Sequence, residues 1–239
     1  MALLTEADVR AMSADGTRGP VVVRAHEILT PGARDYLREH KVEVVYPQGE
    51  GGKEPEAAPR YRTLFGAELT TKPEHMTHLH GNILVCKDHP RIAFRGMIDL
   101  LEAEILLAQQ AAADYPTLAH ELEEVLSFVR RFIRCDVLSE PLGEFTLCGY
   151  TPEQLREYSH YPEKHFGQPH FLPSRTDSPA LLAVNKVRAV ARQTELSAYA
   201  AFRDADGGVT RPDIILGLNR LSSLLWILMI KCKAGRYST

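Results

Sequence analysis

The stretch PRIAFRGMIDLLEAEILLAQQAAA, residues 90–113, decides the fold. Pro90 stands where a first helical turn tolerates proline, and Ile98, Leu101, Ile105 and Ala108 return at the three- and four-residue spacing of one helix face. Three further segments repeat the pattern. Thr117 to about Leu138 carries Leu118, Leu122, Val125, Val129 and Ile133; Ser178-Pro179 opens a segment to about Phe202 with Leu181, Val184, Val187, Ala191 and Ala198; Pro212 opens a last one to about Lys233 with Ile215, Leu218, Leu221, Leu225 and Leu228. At helical rise each is about 30–36 Å long. Stripes of matched length bury themselves by packing on one another, so the expected fold class is mainly α, a helical bundle of four to five helices. Between the second and third segments, residues 139–177 are interrupted by Pro141, Pro152, Pro162, Pro169 and Pro173, and only Thr151-Pro-Glu-Gln-Leu-Arg-Glu suits a short helix. An insertion this long usually carries function.

Outside the bundle, residues 20–46 read as a small β-α-β unit. Val21-Val22-Val23 and Val42-Glu43-Val44-Val45 are β-branched runs, and Thr30-Pro31 supplies an N-cap and N1 proline for a helix to about His40. The stretch from Gln48 to Pro59 is polar, rich in Gly and Pro and free of aromatics, as flexible linkers are. The expected organisation is therefore a small unit at 1–46, a linker at 47–60 and the bundle at 61–239.

The whole chain, 239 residues with 44% hydrophobic and 25% charged, has a globular composition that excludes wholesale disorder. Its net charge of −3 gives no excess of base to coat a phosphate backbone, so no nucleic-acid partner is expected. Cys86, Cys135, Cys148 and Cys232 are scattered without a CxxC pair, as in a reducing compartment. Glu6 and Asp8 follow the start where a secretory signal would be basic and then apolar, and the run Leu224 to Ile230 is too short to span a bilayer. A cytoplasmic protein with no membrane partner is the expectation.

Three constellations could carry chemistry. In Lys87-Asp88-His89-Pro90, Asp88 is placed to cap the helix, which would set free N–H groups and a positive dipole end beside the Lys87 ammonium, a seat for phosphate. Arg91, Arg95 and Asp99 share one stripe of that helix, either as a solvated ion-pair row or as site residues. Arg188, Arg192 and Glu195 form a second stripe, with the same two readings, and Asn219 stands among strongly apolar turns as a core or ligand contact. His75, His78 and His80 with Cys86 are borderline metal ligands, but His-x-x-His-x-His is no defined zinc pattern, and no metal site is expected. Tyr158, Tyr161, His165, Phe166, His170 and Phe171 make an aromatic, imidazole-rich loop that suits a flat ligand or packs on itself.

Four ordered motifs resemble a known family: Lys-Pro-Glu-His-Met-Thr-His-Leu (72–79), Lys-Asp-His-Pro-Arg-Ile-Ala-Phe-Arg-Gly (87–96), Arg-x-x-x-Arg-x-x-Glu (188–195) and Leu-Asn-Arg-Leu-Ser-Ser (218–223). Together with Leu-Thr-Pro-Gly-Ala-Arg-Asp-Tyr-Leu (29–37) they are similar to the ethanolamine-utilisation type of ATP:corrinoid adenosyltransferase, and the last three also resemble the propanediol-utilisation type. The resemblance implies an enzyme that moves the 5′-deoxyadenosyl group of ATP to cob(I)alamin, giving adenosylcobalamin and triphosphate, with Mg-ATP and cobalamin as substrates. It implies a supply role for ethanolamine ammonia-lyase, a homo-oligomer with sites at subunit interfaces, a reductase or the lyase as partner, and association with a bacterial microcompartment.

Residue by residue, the resemblance gives Lys87, Arg192, Glu195 and Asn219 to ATP, and makes Asp99 and Arg192 a structural and catalytic ion pair. The chain departs from its relatives in three places. No Gly- and Thr-rich phosphate loop precedes the bundle, leaving Thr77 to substitute; Leu196 stands where an arginine ends the motif, leaving a phosphate contact to Arg188 or Arg91; and Tyr61 to Thr71 holds no cysteine where relatives carry a Cys-Cys-x-x-Cys cluster. Phe166 or Phe171 is the expected wedge that displaces the lower axial ligand of the corrinoid. A non-catalytic corrinoid- or nucleotide-binding subunit and a metal-dependent hydrolase built on the 75–89 histidines are the competing readings.

Overall fold

The computed structural model describes residues 2–14, 20–24, 27–46 and 60–237. The chain divides into two compact units, Met1–Ala58 and Pro59–Thr239; most of the expected linker lies outside the described residues.

In the first unit, β1 (Ala2–Leu4), α1 (Glu6–Ala14) and β2 (Val21–Val22) are followed by β3 (Glu27–Leu29), α2 (Pro31–Glu39) and β4 (Val44–Val45). The first strand of each triplet pairs with the first of the other, β1 parallel to β3, and the second with the second, β2 parallel to β4. Thr30 caps α2 as its sequence foretells, its hydroxyl accepting the Ala33 N–H. The sequence reading missed the first triplet: Thr5 caps α1 in the same way, bonded reciprocally to Asp8. The core is small: Leu4, Val9, Val21, Val23, Leu29, Ala33 and Leu37.

The second unit opens with a four-stranded sheet in the order β6-β5-β8-β7, formed by β5 (Tyr61–Thr63), β6 (Glu68–Leu69), β7 (Met76–His80) and β8 (Ile83–Cys86). The long helices follow: α3 (Pro90–Ala111), α4 (Pro116–Val137), α7 (Pro179–Phe202) and α8 (Pro212–Lys233), with α5 (Pro152–His160) and α6 (Pro162–Phe166) in the insertion. The expected apolar stripes are the core. Ile98, Leu101, Ile105, Ala108, Leu122, Val129, Val184, Val187, Ala191, Leu218, Leu225 and Leu228 are all fully buried.

Around the ring α3–α4–α8–α7 every neighbour runs antiparallel. Phe94 meets Phe202, setting the start of α3 beside the end of α7, and Lys231 bonds Glu121, setting the end of α8 beside the start of α4. Measured over its whole length rather than by its longest uninterrupted run, α8 is long and apolar enough to cross a membrane; most of it is buried inside the bundle, as a core helix must be. Gly217 lets α8 approach closely: a Cβ there would stand 2.6 Å from Leu142 and 3.0 Å from Phe132.

At the end where α3 begins, a carboxylate missed in the sequence ties the parts together. Asp136 on α4 is fully buried and accepts from Arg91 Nε and Arg95 Nε, each at 2.7 Å. Arg95 also donates to the carbonyls of His78 and Leu79 on β7, so the same side chain holds the sheet on the bundle.

Candidate active site

Three helices turn a polar stripe to one cavity of about 500 Å³. Arg156, Ser159 and His160 come from α5, Arg188 and Arg192 from α7, and Asn219, Ser222, Ser223 and Trp226 from α8, each set at helical three- and four-residue spacings. His170 completes the wall from the loop after α6. Local signals fold α5 into place: Thr151 and Gln154 form a reciprocal capping box, and Leu155 buries itself in the core.

Positive charge dominates the cavity. Arg156, Arg188, Arg192 and Arg220 line it, and none of the four makes an ion pair within the described residues. Burial and the neighbouring Arg192 hold the Arg188 pKa below the ordinary value; burial and Arg156 do the same to Arg220. Four guanidiniums gathered with no carboxylate in direct contact among the described residues suit a polyanion, although Glu153 and Glu195 act on Arg220 from further off. Aromatic surface lies beside them: Arg188 sits 5.1 Å over the Trp226 ring, and His170 and Phe171 stack on that ring at 5.8 and 5.2 Å.

At one edge of the cavity a chain of hydrogen bonds crosses from α8 to α7. Asn219 Nδ2 donates to Glu195 Oε1 at 2.9 Å, and Arg220 Nη1 donates to Asn219 Oδ1 at 2.8 Å. Glu195 and Asn219 also border a second cavity of about 290 Å³, whose other walls are apolar: Val209, Pro212, Ile215 and Leu216.

The expected residues fall into three groups. Arg188, Arg192 and Asn219 meet at the larger cavity, with Glu195 bonded to Asn219. Lys87, Thr77 and Asp99 do not line it. Lys87 is exposed on the turn before α3, near the Phe202 end of α7, ten residues or about 15 Å along the helix from Arg192. Asp99 and Arg192 are both exposed and form no ion pair with each other, because each sits beside a buried position, Ile98 and Ala191, on the outward side of its helix.

Other expectations are overturned outright. His89, not Asp88, caps α3, its Nδ1 accepting the Arg91 N–H at 3.2 Å, a role that needs a neutral ring; burial first and then the two arginines hold its pKa down accordingly. Arg91 donates Nε and Nη2 to the Asp136 carboxylate and carbonyl, and it does not line the arginine cavity. Phe166 is a core residue, packed edge-on against Tyr158 with Arg236 over its ring, and presents no face to a ligand. Phe171 stands behind Trp226 instead, beside Leu172, which is 91% exposed.

The sequence reading missed Arg156, Arg220 and Trp226. Arg220 was visible inside the Leu-Asn-Arg-Leu-Ser-Ser motif; Arg156 carried no signal, since only the fold brings α5 against α8. Among the described residues no group of three or more His, Cys, Asp or Glu side chains is gathered as a metal ion would need, and His75, His78 and His80 are all exposed. Burial pushes the thiols of Cys148 and Cys232 up to about 12.

Residues 68–232 match the family model described as cobalamin adenosyltransferase. This chain belongs to the cobalamin adenosyltransferase family. The match takes in β6 to β8, the insertion and nearly all of the bundle, so the cavity lies wholly within it. The chain is also similar to the corrinoid adenosyltransferase EutT of Escherichia coli (strain K12), 28% identical over 246 residues covering 95% of this chain and 91% of that one. The corrinoid adenosyltransferase EutT of Salmonella typhimurium (strain LT2) is 27% identical over 244 residues, with the same coverage. Both alignments extend beyond the family model into the first unit.

Proposed function

We propose that the chain transfers the 5′-deoxyadenosyl group of ATP to the cobalt of cob(I)alamin, forming a Co–C bond, breaking the C5′–O bond and releasing triphosphate. One observation carries the reading: in a member of this family, four unpaired arginines line the cavity whose edge is the bonded Glu195–Asn219 pair. ATP brings about four negative charges, which Arg188 and Arg192 neutralise in the bound nucleotide and in the leaving group alike, while Glu195 and Asn219 orient the nucleoside. Cobalt(I) is itself the nucleophile, so these residues align and neutralise rather than shuttle protons. Phe171, held on Trp226 next to the cavity, serves as the apolar wedge on the corrinoid face.

Lys87, Thr77 and Asp99 enter through oligomerisation. Leu100, Leu106 and Leu107 on α3 and Leu196 and Tyr199 on α7 are exposed apolar side chains in the same stretches as Asp99 and Arg192. A homo-oligomer buries them, pairs Asp99 of one copy with Arg192 of the next, and brings Lys87 and Thr77 to a neighbour's cavity. The bundle is the catalytic part and the unit at 1–46 a separate one; the product serves ethanolamine ammonia-lyase in the cytoplasm, within reach of a microcompartment. The deciding assay supplies Mg-ATP and chemically reduced cobalamin and follows the absorption spectrum. Appearance of the adenosylated corrinoid with one triphosphate per turnover is the expected result; tight binding of both substrates without turnover would instead favour a non-catalytic binding subunit.

A further inference from the structure

We infer that Arg220 is a positioning residue for the nucleotide site, acting through the amide of Asn219; the inference rests on the ATP reading above. A carboxamide can face either way, because its oxygen accepts and its nitrogen donates while both ends have nearly the same shape. Asn219 is denied that choice. The guanidinium of Arg220 can only donate, and it meets Oδ1 at 2.8 Å. The carboxylate of Glu195 can only accept, and it meets Nδ2 at 2.9 Å. The amide is therefore fixed from both sides, and the groups it can still offer, one N–H and one lone pair of Oδ1, are held in set directions.

This matters because Asn219 borders both cavities, the cationic one and the apolar one. A flipped amide would turn its oxygen on the Glu195 carboxylate, two acceptors face to face, and the pair would part. Arg220 is built for the task of preventing this: it is only 9% exposed, and no carboxylate pairs with it among the described residues, so its orienting bond to Asn219 is not shared with a salt bridge. A second hydrogen bond, from the Ser223 hydroxyl to the Asn219 carbonyl, lies within the same helix and leaves the side chain's orientation to Arg220.

The test uses the chain's one tryptophan, Trp226, which lines the cavity, with its fluorescence followed as nucleotide is added. ATP affinity is measured for the unmodified protein, Arg220→Met, Asn219→Ala and the double variant, with Arg220→Lys as the conservative control and a thermal melt on each. Arg220→Met is expected to weaken ATP about 10-fold or more, the loss of a charge-assisted hydrogen bond. On the Asn219→Ala background the same change should alter affinity less than about 2-fold, since the relay is already cut, and Arg220→Lys should regain much of the loss. An equal weakening in both backgrounds would make Arg220 a direct ligand contact or a general structural residue and overturn the inference. Should Arg220→Met not fold, Arg220→Ala, which also lacks a donor, takes its place in the same cycle and decides between coupling and additivity. Unmodified protein that binds ATP but makes no adenosylated corrinoid defeats the transferase reading and leaves the cycle readable; unmodified protein that binds no ATP defeats both.

Discussion

Outside the cavity, unlike within it, arginines are matched with carboxylates. Asp136 serves two arginines while wholly buried, and removing the carboxylate strands both cations. Asp136→Ala is expected to cost about 3–5 kcal/mol in a denaturant melt, far above an ordinary surface change; a loss below about 1 kcal/mol would show that water replaces the carboxylate. Asp213 offers a test by pH. Bonded by Arg211 and by the Leu142 N–H, its carboxyl is lowered from 3.8 to about 2. A carboxyl whose folded pKa is depressed stabilises the fold above its ordinary pKa and loses that contribution as pH falls through the folded value. Asp213→Asn should therefore cost about 2 kcal/mol near pH 6 and little near pH 2, the difference vanishing between about pH 4 and pH 2. A pH-independent cost would mean that packing, not charge, is what Asp213 supplies.

At the scale of elements, the sequence was most legible where a single periodicity ran for six turns. The starts at Pro90, Pro179 and Pro212 are the observed first helical residues, because proline at N1 is a signal that tertiary contacts rarely override. The strands of the second unit went unread: β5, β6 and β8 span three, two and four residues, too short for alternation to register. Adjacency misled at the start of α3, where Asp88 is the better capping residue by type but His89 holds the cap position. The site was half legible for a related reason: the stripe of α7 and Asn219 announce themselves within one helix each, whereas Arg156 becomes a cavity residue only when α5 docks on α8. Gly217 was equally silent. Alanine normally outranks glycine inside a helix, yet Gly217→Ala is expected to destabilise by about 1–3 kcal/mol, because Phe132 and Leu142 are buried and have little room to yield. A gain in melting temperature would show that the α4–α8 contact is looser than its packing suggests.

For the whole molecule, the separation of Lys87 from the arginine cavity gives a mixing experiment. Lys87→Ala and Arg192→Ala should each be nearly inactive alone. Co-expressed, they should regain a measurable part of the original activity, because some interfaces in a mixed oligomer unite two intact halves; no recovery, in a mixture shown to share oligomers, would mean that each chain builds its site alone. The position of α8 has a consequence of another kind. This helix touches α4, α5, α6 and α7 and contributes the largest group of buried residues, yet it follows all of them in the chain. During synthesis the earlier helices leave the ribosome with apolar faces that have nothing to close on, for at synthesis rates of about 5–20 residues per second the last 60 residues alone take several seconds. Nascent chains of this protein are thus expected to expose these apolar faces until the central helix arrives, and a ribosome-stalled chain ending before Pro212 should be cleaved by added protease faster than one that includes α8.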